Sequence, residues 1–300
     1  MNLFYKIIYV FSAFLFLISC VENKEKKNKT DDILSGEIAV LVDESLMPIA
    51  VEQKEVFESS YYNAKINLIG KPEVQAVNDL IKGESGILIL SRELTEEEKK
   101  SFDQRSITPR IYPFAYDAVV LVGSSDIDST IATQDIIDLM AGRNATGKKL
   151  VIDNPNSSLV RYFRELGKLD KIANTYLEVK GNATEILNTV AANDKKIGLL
   201  SFNQYLSLQR SFTEKDKIRI LSVLNDTLET PKYVKPSQAS LSTGEYPLRR
   251  ELKVLNYQPN MGLGMGFSAF LTGDVRYDDR NFRQRRLTVY HANNTTDDLP

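Results

Sequence analysis

From Glu37 onward, short apolar runs alternate with segments of helical periodicity. Residues 38–42 (IAVLV), 64–69 (AKINLI) and 86–90 (GILIL) predict three short buried strands. Between the first two, residues 49–61 predict a helix, with Pro48 suited to its first turn. Val74, Val77, Leu80 and Ile81 mark one face of a second helix. Thr95 followed by Glu98 is a capping box that opens a third. After Pro113 the rhythm restarts. Residues 117–122 and 149–152 predict strands. Between them lies a helix carrying Ile136, Ile137 and Met140, capped by Thr133 and ended by Gly142. Residues 157–167 and 183–192 predict helices, and 197–200 and 218–223 strands. Residues 229–245, with Pro231 and Pro236, are loop-rich; 248–257 predict a strand and 262–272 a helix. Strands alternating with helices predict an α/β architecture with mostly parallel sheets. The break at 111–117 marks a lobe boundary, and a second crossing is expected within 200–225.

The N-terminus has a different pattern. Lys6 precedes an uncharged apolar run over 7–19 that ends at Cys20, the only cysteine in the chain. The run has the length of a signal-peptide core and is short for a membrane span. Its end, Leu17-Ile18-Ser19-Cys20, resembles the bacterial lipobox, in which the cysteine is lipidated and becomes the mature N-terminus. Residues 21–36 are polar and charged, as a flexible tether would be. Residues 1–20 are therefore expected to be a lipoprotein signal peptide. The mature body should be lipid-anchored at the cell envelope, facing the periplasm or the exterior.

Composition narrows the chemistry. A net charge of −2 does not call for a nucleic-acid partner. One Cys and one His leave no Cys/His zinc site and no Cys–His nucleophile pair, so neither a metal nor another cofactor is expected and no catalytic residue is assigned. In open α/β sheets, ligands bind beyond the carboxyl ends of the strands. Three such ends carry polar loops: Asp43-Glu44-Ser45-Leu46-Met47-Pro48; Ser91-Arg92; and Asp153-Asn154-Pro155-Asn156-Ser157-Ser158, leading into a helix that carries Arg161. Helix starts offer free N–H groups and a partial positive charge, and hydroxyls add neutral donors. Arginine adds a charged fork that fits an oxyanion edge. Read one by one, the Ser and Asn residues are also ordinary helix caps, Arg92 could pair with Glu96, and Arg161 could be a solvated helix residue. Taken together, the three loops point to a small-anion site.

The motifs DESLMPIAVEQKEVFE (43–58), LSRELTEEE (90–98), DNPNSSLVRYF (153–163), GEYPLRREL (244–252) and GLGMGFSAFLTGD (262–274) also carry a family likeness. The chain resembles phosphate-binding proteins of the PstS type, within the type II periplasmic binding protein superfamily, and most of all the lipoprotein version common in Bacteroidetes-like bacteria. The likeness covers about 36–274. It implies two α/β lobes joined by hinge strands, here 37–114 with 222–274 and 115–221. It also implies a ligand set of Ser45, Leu46, Ser91, Arg92, Asn154, Asn156, Ser157, Ser158 and Arg161. The function it implies is capture of phosphate or a similar oxyanion by a monomer that serves a membrane ABC permease. There are departures. The family's Ser-Gly-Thr helix start reads Ser157-Ser158-Leu159, and its Gly-Ser-Gly loop reads Gly70-Lys71-Pro72-Glu73-Val74. These changes leave open an alternative from another class, a surface lipoprotein that uses the fold for protein docking or solute sensing. The Arg-rich segment 275–300 departs most; it reads as a divergent, disordered tail or as an altered reading frame.

Overall fold

The computed structural model describes residues 32–143 and 146–273. Cys20, the signal peptide, the tether up to residue 31 and the tail 275–300 lie outside the described residues. Strand β1 (Gly36–Asp43) pairs in parallel with β2 (Ala64–Lys71) and with β3 (Ile87–Leu90). Between these strands run α1 (Met47–Ser60) and α2 (Glu73–Lys82), and α3 (Glu96–Asp103) follows β3. The alternation of side chains along β1 explains why IAVLV is apolar throughout. Val40 and Val42 face a core built with α1, while Leu41 faces a second core built with α2 and α3. The capping box at Thr95 forms: its hydroxyl accepts from the Glu98 N–H, and Glu98 accepts from the Thr95 N–H at 2.7 Å.

The expected break at Pro113 is instead a bulge inside one long strand, β4 (Arg110–Ser124). Its first half pairs antiparallel with β12 (Arg249–Asn256), where Leu252 faces Ala115 but Lys253 faces Pro113. Phe114 is thereby skipped, because a proline with no N–H interrupts a ladder and a bulge absorbs the interruption. The second half of β4 pairs with β8 (Lys196–Ser201) and β9 (Ile218–Ile220). The main sheet therefore runs β2-β1-β3-β12-β4-β8-β6-β7, through both lobes, with β6 (Lys149–Ile152) and β7 (Leu177–Val179) at its far end.

The second lobe carries α4 (Thr133–Met140), α5 (Ser158–Leu166), α6 (Ala183–Ala191) and α7 (Phe202–Gln209). Thr133 is the first residue of α4 rather than its cap; Asp135 reaches back to the Ala132 N–H at 3.1 Å. Gly142, at φ +80°, follows its C-terminus. The sequence reading returns the chain to the first lobe at 222. In the structure β10 (Ser222–Asn225) joins β5 (Thr130–Ile131) and β11 (Lys232–Val234) in a small separate sheet. Val223, Val234, Leu241, Tyr246 and Leu248 pack into the core that contains β4, β6 and β8, and the Tyr246 hydroxyl donates to the Val119 carbonyl at 2.9 Å. Within the loop-rich stretch a short helix, α8 (Gln238–Ser242), also forms. The chain closes on α9 (Leu263–Thr272), whose Phe267 and Phe270 meet Phe57 edge-on at 5.2 Å each. Among the described residues no helix is long and apolar enough to cross a membrane.

Candidate functional site

The loops after β1 and β6 meet between the lobes. Asp43 ends β1 and accepts the Ser45 N–H at 3.1 Å and the Ser45 hydroxyl at 3.0 Å, which holds the tight turn that starts α1. In the other lobe the Asn154 side chain accepts the Asn156 N–H at 2.8 Å, and the Asn154 carbonyl accepts the Ser157 N–H at 3.1 Å. Ser157 caps α5, so Ser158 is its first helical residue. The hydroxyl oxygens of Ser45 and Ser158, both fully buried, lie 3.1 Å apart across the lobe boundary.

Arg250 organises this meeting point. Its guanidinium donates to Ser158 Oγ at 3.0 Å and to Ser45 Oγ at 3.1 Å, and its Nε and Nη2 donate to Asp117 Oδ2 at 3.0 and 2.7 Å. Arg250 and Asp117 stand directly opposite each other on β12 and β4, the strands that run between the lobes. Asp117 also accepts the Asn203 N–H at 3.1 Å, and Ser201 donates its hydroxyl to the Ser45 carbonyl at 2.7 Å. A buried ion pair survives only when both charges find further partners, and this one does.

A second cluster lies beside the first. Glu73, in the first turn of α2 and almost wholly buried, accepts Arg92 Nε at 2.8 Å and Arg161 Nε at 3.0 Å. The rest of the Arg92 fork goes to Glu98 at 2.7 and 3.0 Å rather than to Glu96. Arg161 also donates to Glu165 at 2.6 Å and to the Ser91 hydroxyl at 3.4 Å.

Of the residues expected at one site, the structure brings Ser45 and Ser158 together, with Ser157 beside them as a cap. Ser91, Arg92 and Arg161 gather in the Glu73 cluster, where both guanidiniums already hold carboxylates. Asn154 and Asn156 shape their loop, Asn156 being exposed. The Leu46 side chain is in the core, so only its backbone can serve a ligand. Lys71 turns to Asp79. Arg250, Asp117, Ser201, Asn203 and Glu73 are not among the site residues expected from the sequence, although Glu73 lies in the altered 70–74 loop and Arg250 in the 244–252 motif. A signal for Arg250 exists: along β12 it shares the buried face with Leu252 and Val254, so a charge falls in a core-facing register and demands a partner.

The electrostatics are mixed. Burial pushes the Asp43 carboxyl above its usual range, opposed chiefly by the charge of Arg250. Burial also raises Asp153. Glu44 is pushed up to about 7, first by burial and then by the charges of Asp153 and Asp43. The centre thus offers the Ser158 hydroxyl, one guanidinium and the first-turn N–H groups of α5 as donors, while the Ser45 hydroxyl is given to Asp43. Asp43 can accept a proton-bearing ligand oxygen. A cavity of about 700 Å³ at the opposite end of β1, lined by Asp32, Glu37, Lys65 and Gln258, is remote from these groups.

A family model described as the PBP superfamily domain matches residues 27–275. The chain belongs to that family. This PBP-superfamily chain is similar to the phosphate-binding protein PstS of Staphylococcus epidermidis, at 24% identity over 220 residues. That match covers 69% of the chain and 65% of the relative, a little under two thirds of the relative's length. Among solved structures, a provisionally assigned phosphate ABC transporter substrate-binding protein from Clostridium perfringens, with bound phosphate, superposes at a TM-score of 0.61 and 18% identity. It covers 79% of this chain and 93% of that one. An ABC-type phosphate transport receptor from Vibrio cholerae superposes at 0.60 and 16% identity, covering 85% and 98%. The PBP-superfamily chain has the two-lobed type II periplasmic binding protein fold, as expected from its sequence.

Proposed function

We propose that this chain captures phosphate or a similar small oxyanion between its lobes and presents it to a membrane ABC permease, held at the envelope by a lipid on Cys20. The observation that carries the reading is the convergence of Ser45 from one lobe and Ser158 from the other on a single guanidinium. An anion entering there replaces the hydroxyl–hydroxyl contact and meets the Ser158 hydroxyl, Arg250, the start of α5 and the Ser45 hydroxyl turned from Asp43, which together stand in for its hydration shell. The reading is one of capture rather than catalysis. Binding draws the lobes together because the donors come from both sides. On the packing described above, we place the second lobe at about 118–248 and return the chain through β12. Likeness to phosphate-binding relatives supports the cargo.

Isothermal titration with inorganic phosphate tests the proposal, with Arg250→Gln as the comparison. Saturable binding lost in the variant is expected. No heat from the unaltered chain at millimolar phosphate would remove the cargo assignment. The anchor is tested separately: Cys20→Ala should abolish incorporation of labelled fatty acid, and unchanged incorporation would reject Cys20 as the lipid site.

A further inference from the structure

Asn203, the second residue of α7, is bonded to two members of the interlobe centre. Its backbone N–H donates to Asp117 Oδ1 at 3.1 Å. Its Nδ2 donates to the Ser45 carbonyl at 3.3 Å and to Ser201 Oγ at 3.0 Å. These neighbours fix which way the amide faces. The Ser45 carbonyl can only accept, and Ser201 has already given its hydroxyl proton to that carbonyl at 2.7 Å, so both require the –NH2 end. The amide oxygen is therefore turned away from them. Asn203 Oδ1 is buried and has no hydrogen-bond partner among the described residues. A buried acceptor without a partner is costly, and a hydroxyl on a bound anion can satisfy it.

The charges around the centre point the same way. Arg250 is offset by Asp117 at 2.7 Å. Arg92 and Arg161 are shared among Glu73, Glu98 and Glu165. Asp43 and Asp153 lie close enough to Glu44 for their charges to raise its carboxyl. The cleft has no surplus positive charge with which to offset a dianion. We infer that Asn203 is a specificity residue that, together with Asp43, selects the singly charged, twice-protonated form of a tetrahedral oxyanion over its dianion and over sulfate. This rests on the reading of the cleft as an oxyanion-capture site. For phosphate the selected form is dihydrogen phosphate. One of its hydroxyls donates to Asp43 and the other to Asn203 Oδ1, while its remaining oxygens accept from Ser158, Arg250 and the first turn of α5. Sulfate carries no proton at neutral pH. It leaves both acceptors unpaired and sets a second negative charge among carboxylates, and a site built to pair with a ligand hydroxyl rejects an analogue that lacks it.

The test measures phosphate and sulfate affinities of the full chain by calorimetry, with sulfate followed by displacement of phosphate where it binds weakly. Sulfate does not titrate near neutral pH, so the ratio of the two affinities cancels the ionisation of the protein's own carboxyls and reports that of phosphate. Above the second ionisation of phosphate the ratio should fall about tenfold per pH unit, because one proton more is bound with the ligand. A ratio that stays level or rises means that the dianion is taken, and overturns the inference. The second arm is Asn203→Ala at a pH below that ionisation. The Ser45 carbonyl keeps its bond from Ser201 in this variant, and thermal melting checks the fold. Phosphate affinity should drop about tenfold with sulfate affinity unchanged, the cost of one lost hydrogen bond to the ligand. An equal loss for both anions makes Asn203 a structural residue and overturns its role in selection. The pH arm needs no variant, so a folding defect in Asn203→Ala does not shield the inference. Absence of phosphate binding at every pH removes the cargo reading and this inference with it, whereas binding with a level ratio removes the inference alone.

Discussion

Replacing Arg250 with Met is the perturbation whose consequences the structure defines most sharply. The side chain is almost wholly buried and makes two bonds to Asp117 and one to each of Ser45 and Ser158. Truncation leaves the Asp117 carboxylate buried with one remaining donor, the Asn203 N–H. Breaking a buried pair from one side costs about 3–5 kcal/mol. The surviving Asn203 bond places the expected loss near the lower figure. For a body of this size each kcal/mol moves the midpoint by about 2–4 °C, so Arg250→Met should melt about 10 °C lower. The compensating change is Asp117→Asn, which removes the stranded charge and keeps an oxygen for Asn203. In the double variant most of the lost stability should return, because replacing both partners of a buried pair is close to neutral. Phosphate binding should not return, because the donor to both hydroxyls is still missing. Urea unfolding and titration on the same samples separate the two effects. A loss under about 1 kcal/mol for Arg250→Met, or no recovery in the double variant, would refute the account of a buried pair held by mutual dependence.

Other expectations follow from the same cluster. Ser45→Ala and Ser158→Ala should each weaken phosphate binding about tenfold, the worth of one hydrogen bond to a charged ligand, with melting temperatures moved far less; calorimetry on both variants decides this. Glu44, raised to about 7, gives folding stability that is fully present below the usual glutamate value of 4.5 and is lost as pH rises through about 7. Melting temperature should therefore fall across that window in the parent more than in Glu44→Gln. Above pH 7 the ionised Glu44 also repels an anion, so the ratio of Glu44→Gln to parent phosphate affinity should be larger at pH 8 than at pH 6. Taking the ratio cancels the ionisation of phosphate itself, and a flat ratio would show that Glu44 does not sense the cleft.

The sequence by itself determined most of the longer elements, because their causes are local, but not the short strands β5, β7 and β11 or the split of 218–223 into β9 and β10. The continuous apolar runs at 38–42 and 86–90 could only be strands buried on both faces, and the Thr95–Glu98 box could only open a helix. The same locality hid α7: its apolar residues are interrupted by Asn, Gln and Ser, although Ser201 with Gln204 is a capping box legible in hindsight. It also led Pro113 to be read as a break, because a missing N–H looks the same in a loop as in a bulge. The loops at Ser45 and Ser158 were legible as candidates, since helix starts rich in hydroxyls announce free N–H groups. What only the tertiary structure decided is which charges meet. Arg250 and Asp117 are 133 residues apart and Arg161 and Glu73 are 88 apart. Pairing at such separations depends on how two lobes close over one sheet, and no residue spacing encodes that. Electrostatic energy in a buried site is set by distance and desolvation in space, so one guanidinium became the centre of the cleft while two others were drawn to a neighbouring carboxylate.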